Sequence, residues 1–322
     1  MEPLVQQQER NNGNLPAPDP REQVQMALHA TYGLTLFNNV LQDQTGEVFL
    51  KLLQALACAQ PDPALVAASY SHAFHELAAM ANEEATPRLA DAWQAYLAAR
   101  LIDDRNPWSE QVERVGSARV SSTLRAQARR DLRALQRLFQ LDAETLWEMV
   151  DALVTPSMPT LRDAWTPWCD LAPQQSDTPT HARDTLAARI ALCPDWAELV
   201  EPLEEHWARH GTGLQAHYHV LRWLAAEKQL VGIAHPDTVQ LAGLVGQERQ
   251  QARLTKNIER FLAGLPAQDM LLYGPPGTGK SSTVKALVNG YADQGLRLVE
   301  VSKEDLGDLP VIVAQLRERA PH

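Results

Sequence analysis

Apolar residues recur every three to four positions through most of the first 154 residues. In GEVFLKLLQALACA, Val48, Phe49, Leu52, Leu53 and Leu56 fall on one face of a helix. In DLRALQRLFQLDAETLWEMVDALV the stripe is Leu132, Leu135, Phe139, Leu146, Met149, Val150 and Leu153. Asp142 sits where a new helix would need a cap. Ala and Leu dominate, and both favour helix. No run between 21 and 154 alternates in the way a strand would. Thr155–Thr180 then holds five prolines, each removing a backbone donor, which predicts a linker or loop-rich hinge. Helical spacing is predicted again in HARDTLAARIALCPDWAELVEPLEEHWARH and in LQAHYHVLRWLAAEKQ.

The pattern changes near His235. A helix is predicted with Leu254, Ile258, Phe261 and Leu262 on one face, stopping at Gly264 as its C′ residue. Met270–Tyr273 is a short apolar run suited to a buried parallel strand. SSTVKALVNGYADQ reads as a helix closed by Gly295, LRLVEV as a strand, and PVIVAQLRERA as a further helix. Strand, loop, helix, strand, helix is the opening of a doubly wound α/β domain. No internal repeat is present.

Between the predicted strand and helix lies GPPGTGKSS. Gly274, Gly279, Lys280 and Ser281 satisfy G-x-x-x-x-G-K-[ST] in the context the motif requires. The residue types fit phosphate chemistry. Glycines let successive N–H groups curl around one anion, with Pro275, Pro276, Gly277 and Thr278 completing the loop. The helix that follows adds the positive end of its dipole. Lys280 would reach the β- and γ-phosphates, the Ser281 hydroxyl would ligate Mg²⁺, and Ser282 extends the backbone cradle. The bland alternative is an ordinary Gly-Pro turn.

GPPGTGKSS resembles the Walker A loop of the AAA+ ATPases. LAGLVGQERQ resembles the AAA+ segment before the first core helix, which implies that Leu244, Val245 and Gly246 lie on the adenine side. GTGLQAHYHVLRW, HPDTVQLAGLVGQE, NIERFLAGLPAQDMLLYG and STVKALVNGYADQGLRLVEVSKEDLGDLP together resemble an uncharacterised bacterial domain-of-unknown-function family of stand-alone AAA+ ATPases. The resemblance is strong over 211–319 and weak before it. It implies ATP and Mg²⁺ as ligands, a protein client of unknown identity, and a homo-oligomer in the full-length form. The expected fold class is a mainly α N-terminal helical domain followed by the first part of an α/β P-loop NTPase domain. The expected divisions are a disordered tail at 1–20, a helical domain at 21–154, a Pro-rich hinge at 155–180, a helical segment at 181–235, and the N-terminal part of the AAA+ domain, truncated, at 236–322.

The family pattern continues past LRERAPH into an acidic-ended Walker B strand, sensor residues and an arginine finger, and this chain has none of them. No catalytic residue is therefore assigned. Glu300, Glu304, Asp305 and Asp308 follow the second predicted strand and are expected to cap a helix or face water rather than replace Walker B. The sequence reading is an ATP-binding protein of AAA+ type that would hydrolyse ATP to remodel a partner when complete. As it stands, the chain would bind nucleotide without hydrolysing it. The alternative is a non-catalytic helical interaction protein with a vestigial loop. A P-loop kinase, which would also need acidic residues near the phosphates, ranks third.

Composition changes this picture little. The chain has 322 residues, 45% of them hydrophobic and 21% charged, enough for a sizeable core. Its net charge of −11 speaks against a broad nucleic-acid surface. Cys58, Cys169 and Cys193 form no CxxC pair, which fits a reducing compartment. With no signal-like start and no apolar run of membrane length, the expectation is a cytoplasmic protein without a membrane partner. Cys58 reads as a small buried hydrophobe. Seven arginines lie between Arg114 and Arg137 against the single acid Asp131, and they read as a solvated helix face ahead of an anion-binding one. His206 and His210, with His217 and His219 nearby, have a spacing that can bind metal but lack any supporting motif. Trp165, Trp168 and Trp196 read as packing anchors around the hinge.

Overall fold

A computed structural model describes residues 19–81, 87–161, 163–171, 182–213, 218–233, 236–244 and 248–317. Nine helices come first among these residues: α1 (Pro20–Thr31), α2 (Gln44–Ala57), α3 (Pro63–Ala81), α4 (Ala92–Asp103), α5 (Pro107–Val115), α6 (Ser122–Phe139), α7 (Ala143–Val154), α8 (Ala182–Leu192) and α9 (Val200–His210). The apolar stripes read from the sequence face one core that runs from Val24 to Trp207. Trp93, Trp108, Trp168, Trp196 and Trp207 are fully buried in it. Phe49 stacks on Trp93 with ring centroids 3.4 Å apart.

Carboxylates fix the helix starts. Asp142 accepts from the Thr145 N–H and caps α7, as its position predicts. Asp43 caps α2, and Asp91 caps α4 while also accepting from the Ala143 N–H at 2.7 Å. Asp131, in the middle of α6, is buried. It accepts from the Thr35, Leu36 and Phe37 N–H groups at 2.9, 2.7 and 3.2 Å. That carboxylate supplies acceptors to a turn that has no ladder of its own.

The Pro-rich stretch contributes to the same core. Met158, Leu161, Trp165 and Trp168 pack on it, and the Trp165 indole N–H donates to Ser71 Oγ at 2.9 Å. The tryptophans at 165, 168 and 196 are thus packing anchors. Cys58 differs from the expectation of burial: it ends α2, is exposed, and donates to the Gln60 carbonyl.

The second part holds β1 (Val220–Leu224), β2 (Gln229–Gly232), α10 (Glu248–Leu262), α11 (Lys280–Tyr291), β3 (Leu298–Glu300) and α12 (Leu309–Arg317). The strands form one sheet in the order β2-β1-β3, antiparallel on one side and parallel on the other. This corrects the helical reading of LQAHYHVLRWLAAEKQ. Its first residues lie outside the described ones, and the rest form a hairpin that turns through Lys228 at φ +50°. Both faces of β1 are covered, Leu221 and Trp223 in one apolar cluster and Val220 in another. A strand covered on both sides reads as a continuous apolar run, which periodicity cannot separate from helix.

Met270–Tyr273 is the converse correction. The predicted strand does not form, and Leu271 and Tyr273 are 86% and 88% exposed. A strand exists only through a neighbour's ladder, and among the described residues none pairs with this segment. Of the two strands expected after His235 only β3 is present, and its partner is β1. The helix predictions hold: α10 ends at Leu262 before Gly264 at φ +67°, and α11 passes into a short turn closed by Gly295 at φ +96°. No helix among the described residues is long and apolar enough to cross a membrane.

Candidate functional site

The segment 274–282 is a tight exposed loop running into α11. Gly274, Gly277 and Gly279 have φ of +145°, +80° and +76°, values that side-chain-bearing residues resist. Lys280 is the first residue of α11, and Gly279 precedes it in the left-handed conformation. No side chain caps this helix. Its first-turn N–H groups, on Lys280, Ser281 and Ser282, are the donors that intrahelical bonding leaves over. The Lys280 ammonium lies back across the loop, donating to the carbonyls of Gly274 at 3.0 Å and Pro275 at 2.7 Å and to Thr278 Oγ1 at 3.3 Å. Thr278 Oγ1 in turn donates to the Pro275 carbonyl at 3.0 Å. The helix is anchored behind the loop by Thr283, buried, whose hydroxyl and N–H both reach the Gly279 carbonyl at 2.8 Å. The result is a concentrated patch of positive potential: a dipole end, free donors and one flexible cation. The Ser281 hydroxyl is exposed on the first turn, where a cation held by a bound phosphate could reach it.

Of the residues assigned to the adenine side, Val245 and Gly246 lie outside the described residues. Leu244 ends a strap, 236–244, that runs along α11. Asn289 fastens this strap by donating to the carbonyls of Asp237 at 2.7 Å and Val239 at 2.9 Å, and Lys285 pairs with Asp237 at 2.7 Å. The Gln251 side chain donates to the Leu244 carbonyl at 3.1 Å. Sequence reasoning passed over Lys285 and Asn289. The signal was available, since Ser281, Lys285 and Asn289 recur every four residues on one helix face. Beside them is a cavity of about 210 Å³ lined by Val220, Arg222, Ile233, Asp237, Lys285 and Asn289.

The acidic residues after β3 are committed elsewhere. Glu300 pairs with Arg222 at 3.0 Å, Asp305 accepts from Ser302 Oγ at 2.5 Å, and Asp308 accepts from the Trp223 indole N–H at 3.0 Å. Glu304 is exposed. Glu300, Asp305 and Asp308 thus hold the sheet and the loop after it.

The other candidates resolve differently. Three arginines of the basic stretch pair with acids packed against α6: Arg125 with Glu204 at 2.7 Å, Arg129 with Glu201 at 3.2 Å and Arg133 with Asp195 at 2.6 Å. Glu204 also accepts from the Trp108 indole. These pairs join α6 to α9 and the turn before it, Arg125 against a buried Glu204 and the other two at the surface, with Arg114, Arg119, Arg130 and Arg137 exposed. His206 and His210 have ring centroids 4.7 Å apart. Burial pushes them down to about 3 and about 4, so both are neutral near pH 7. Among the described residues no group of three or more His, Cys, Asp or Glu could hold a metal ion.

Residues 216–322 match a family described as "Protein of unknown function (DUF815)". A stretch of 62 residues is 44% identical to a 26S proteasome regulatory subunit 6B homolog of Schizosaccharomyces pombe, covering 17% of this chain and 16% of the relative. Stretches of 67 and 68 residues are each 37% identical to the replication factor C large subunits of Staphylothermus marinus and Thermococcus kodakarensis, covering 20% of this chain and 15% and 13% of theirs. The chain therefore spans about a sixth or less of the length of these relatives. No solved structure matches. Over its C-terminal third the chain is thus similar to the DUF815 family and, in shorter stretches, to ATPases of AAA+ type.

Proposed function

We propose that this chain binds the polyphosphate of a Mg-nucleotide, ATP in the first instance, at residues 274–282. One observation carries the reading: a G-x-x-x-x-G-K-S loop with left-handed glycines opens directly into an uncapped helix whose first residue is the lysine. The Lys280 ammonium now rests on carbonyl oxygens of its own loop, contacts that a phosphate would outcompete through charge. Gly277 has open space around it, so an anion can approach the backbone closely. Mg²⁺, when bound, would neutralise phosphate charge, and Ser281 is the residue that would hold it. The base side is assigned to Leu244, which ends the strap at 236–244, and to Val245 and Gly246 that follow it in the sequence.

This function is nucleotide binding without turnover by the chain itself. Glu300, Asp305 and Asp308 are engaged in structural bonds, and hydrolysis needs an acidic or polar group to orient water. In this reading the helical region of 21–154 and 181–210 is the part that recognises a protein client, in a soluble intracellular setting and in a homo-oligomeric assembly. Calorimetric titration with Mg-ATP tests the site. Heat that saturates with the natural sequence and disappears in Lys280→Ala is the expected result. Equal heats from both proteins would end the phosphate reading. Steady-state phosphate release that exceeds the Lys280→Ala background would end the claim of binding without turnover.

A further inference from the structure

The turn after α11 packs directly on the end of α9. Gly295 is buried there, and a Cβ on it would sit 2.5 Å from the Arg209 carbonyl oxygen. The approach is backbone to backbone, and only glycine allows it at φ +96°. Arg297, half-buried, donates Nη1 to the carbonyls of Ala292 at 2.9 Å and Leu296 at 3.0 Å and Nη2 to the His210 carbonyl at 3.4 Å. One residue further, the Leu298 N–H donates to the His219 carbonyl at 2.9 Å, so β3 begins where the contact ends.

The same helix therefore has both features at its ends. Its first turn carries Lys280 and Ser281, and its last leads into the α9 contact. Twelve residues make it a rod about 18 Å long. Lys285 midway and Asn289 in the last turn tie it to the strap. On the far side, α9 is built into the helical core: the Trp207 indole donates to the Ile102 carbonyl at 2.6 Å, and Glu204 holds Arg125 and Trp108. Packed helices move as units, so a displacement at one end of such a rod must be taken up at the other.

We propose that the Gly295–Arg297 turn is a latch through which occupancy of the 274–282 loop is transmitted to the C-terminal end of α9. The proposal rests on the phosphate-binding reading for its trigger and on the Gly295–Arg209 contact for its route. The loop is exposed at Leu271 and Tyr273, and Thr283 ties its last residue, Gly279, to the first turn of α11. An anion that gathers the first-turn N–H groups therefore acts on the rod, and the rod acts on α9.

Hydrogen exchange on the full chain tests both halves. Without nucleotide, Gly295→Val should speed amide exchange over residues 207–212 about tenfold, with exchange in the middle of α6 unchanged. Arg297→Met, which keeps the glycine, should act in the same direction and serves if the valine variant fails to fold. Unchanged rates over 207–212 in the folded variants would overturn the latch. With Mg-ATP, the natural sequence should gain protection both in the first turn of α11 and over 207–212, the latter by about fivefold or more. Gly295→Val or Arg297→Met should keep the first gain and lose the second. Protection confined to α11 in the natural sequence would overturn the transmission and leave the phosphate site standing. No protection in either region would overturn the phosphate site and the transmission together, and the nucleotide-free comparison would still decide the contact.

Discussion

The two parts of this chain treat apolar residues in opposite ways. From Val24 to Trp207 nearly every predicted stripe residue is buried, and five tryptophans have no more than 1% exposure. From Glu248 onward, Phe261, Leu265, Met270, Leu271, Tyr273, Leu306, Leu309, Val311 and Val313 are all exposed, and the apolar clusters are small. The helical part satisfies its backbone within each helix and needs only a facing stripe to bury its side chains. The C-terminal part depends on a sheet, and a sheet needs partners for its backbone as well as cover for its faces.

This contrast can be broken most directly by unfolding. In urea, residues 20–210 should lose structure in one cooperative step, and the segment 248–317 should open at lower urea without a sharp step of its own. Far-UV circular dichroism combined with residue-resolved exchange checks this. A single transition shared by every probe would mean that the two parts form one cooperative unit.

Point substitutions sharpen it, beginning with the largest effect. Trp93→Ala removes an indole that stacks on Phe49 and donates to the Leu138 carbonyl, and should cost about 3–5 kcal/mol in urea midpoint analysis. Asp131→Ala leaves three backbone N–H groups of residues 35–37 without their acceptor, and should cost about 3 kcal/mol. Tyr273→Ala, a change of similar type on the exposed loop, should stay within about 0.5 kcal/mol. A comparable cost at Tyr273 would show that the loop is covered in solution.

A smaller effect concerns acid. His206 faces Asp103, Arg183, Arg297 and His210, and His210 also faces Arg209 and Asp293. Burial depresses both imidazoles below the ordinary value of 6.5, to about 3 and about 4. The unfolded chain therefore binds protons first. The pair's contribution is whole above pH 6.5 and is lost as the pH falls towards 4 and then 3. Asp104, which burial raises to about 6, works the other way between its unfolded value and pH 6. A difference measurement separates the two. The double variant His206→Gln, His210→Gln should lose less stability between pH 7 and 4 than the natural sequence. Equal losses would exclude the histidines as the acid-sensitive element.

Much of the helical part was legible because its signals are local. Spacing of three to four, the Asp142 carboxylate before α7 and a glycine after α10 all lie within a few residues of the structure they specify. The glycine-rich turn at 274–282 was legible for the same reason: nine consecutive residues carry the glycines, the lysine and the hydroxyl. The strap clasp at Lys285 and Asn289 was half legible, as a helical face without its partner. The β1–β2 hairpin, the absent strand at Met270–Tyr273 and the ion pairs from Arg125, Arg129 and Arg133 were not, since each depends on a neighbour far along the chain.

The sequence by itself determined most of the helices, the Asp142 cap and the turn chemistry of 274–282, because backbone hydrogen bonds in helices and turns close over a few residues. Only the tertiary structure decided which apolar segments became strands, which charges met across α6 and α9, and where Gly295 touches Arg209. Those outcomes turn on partners brought together by folding, and no local pattern encodes a partner 86 residues away, as Gly295 is from Arg209.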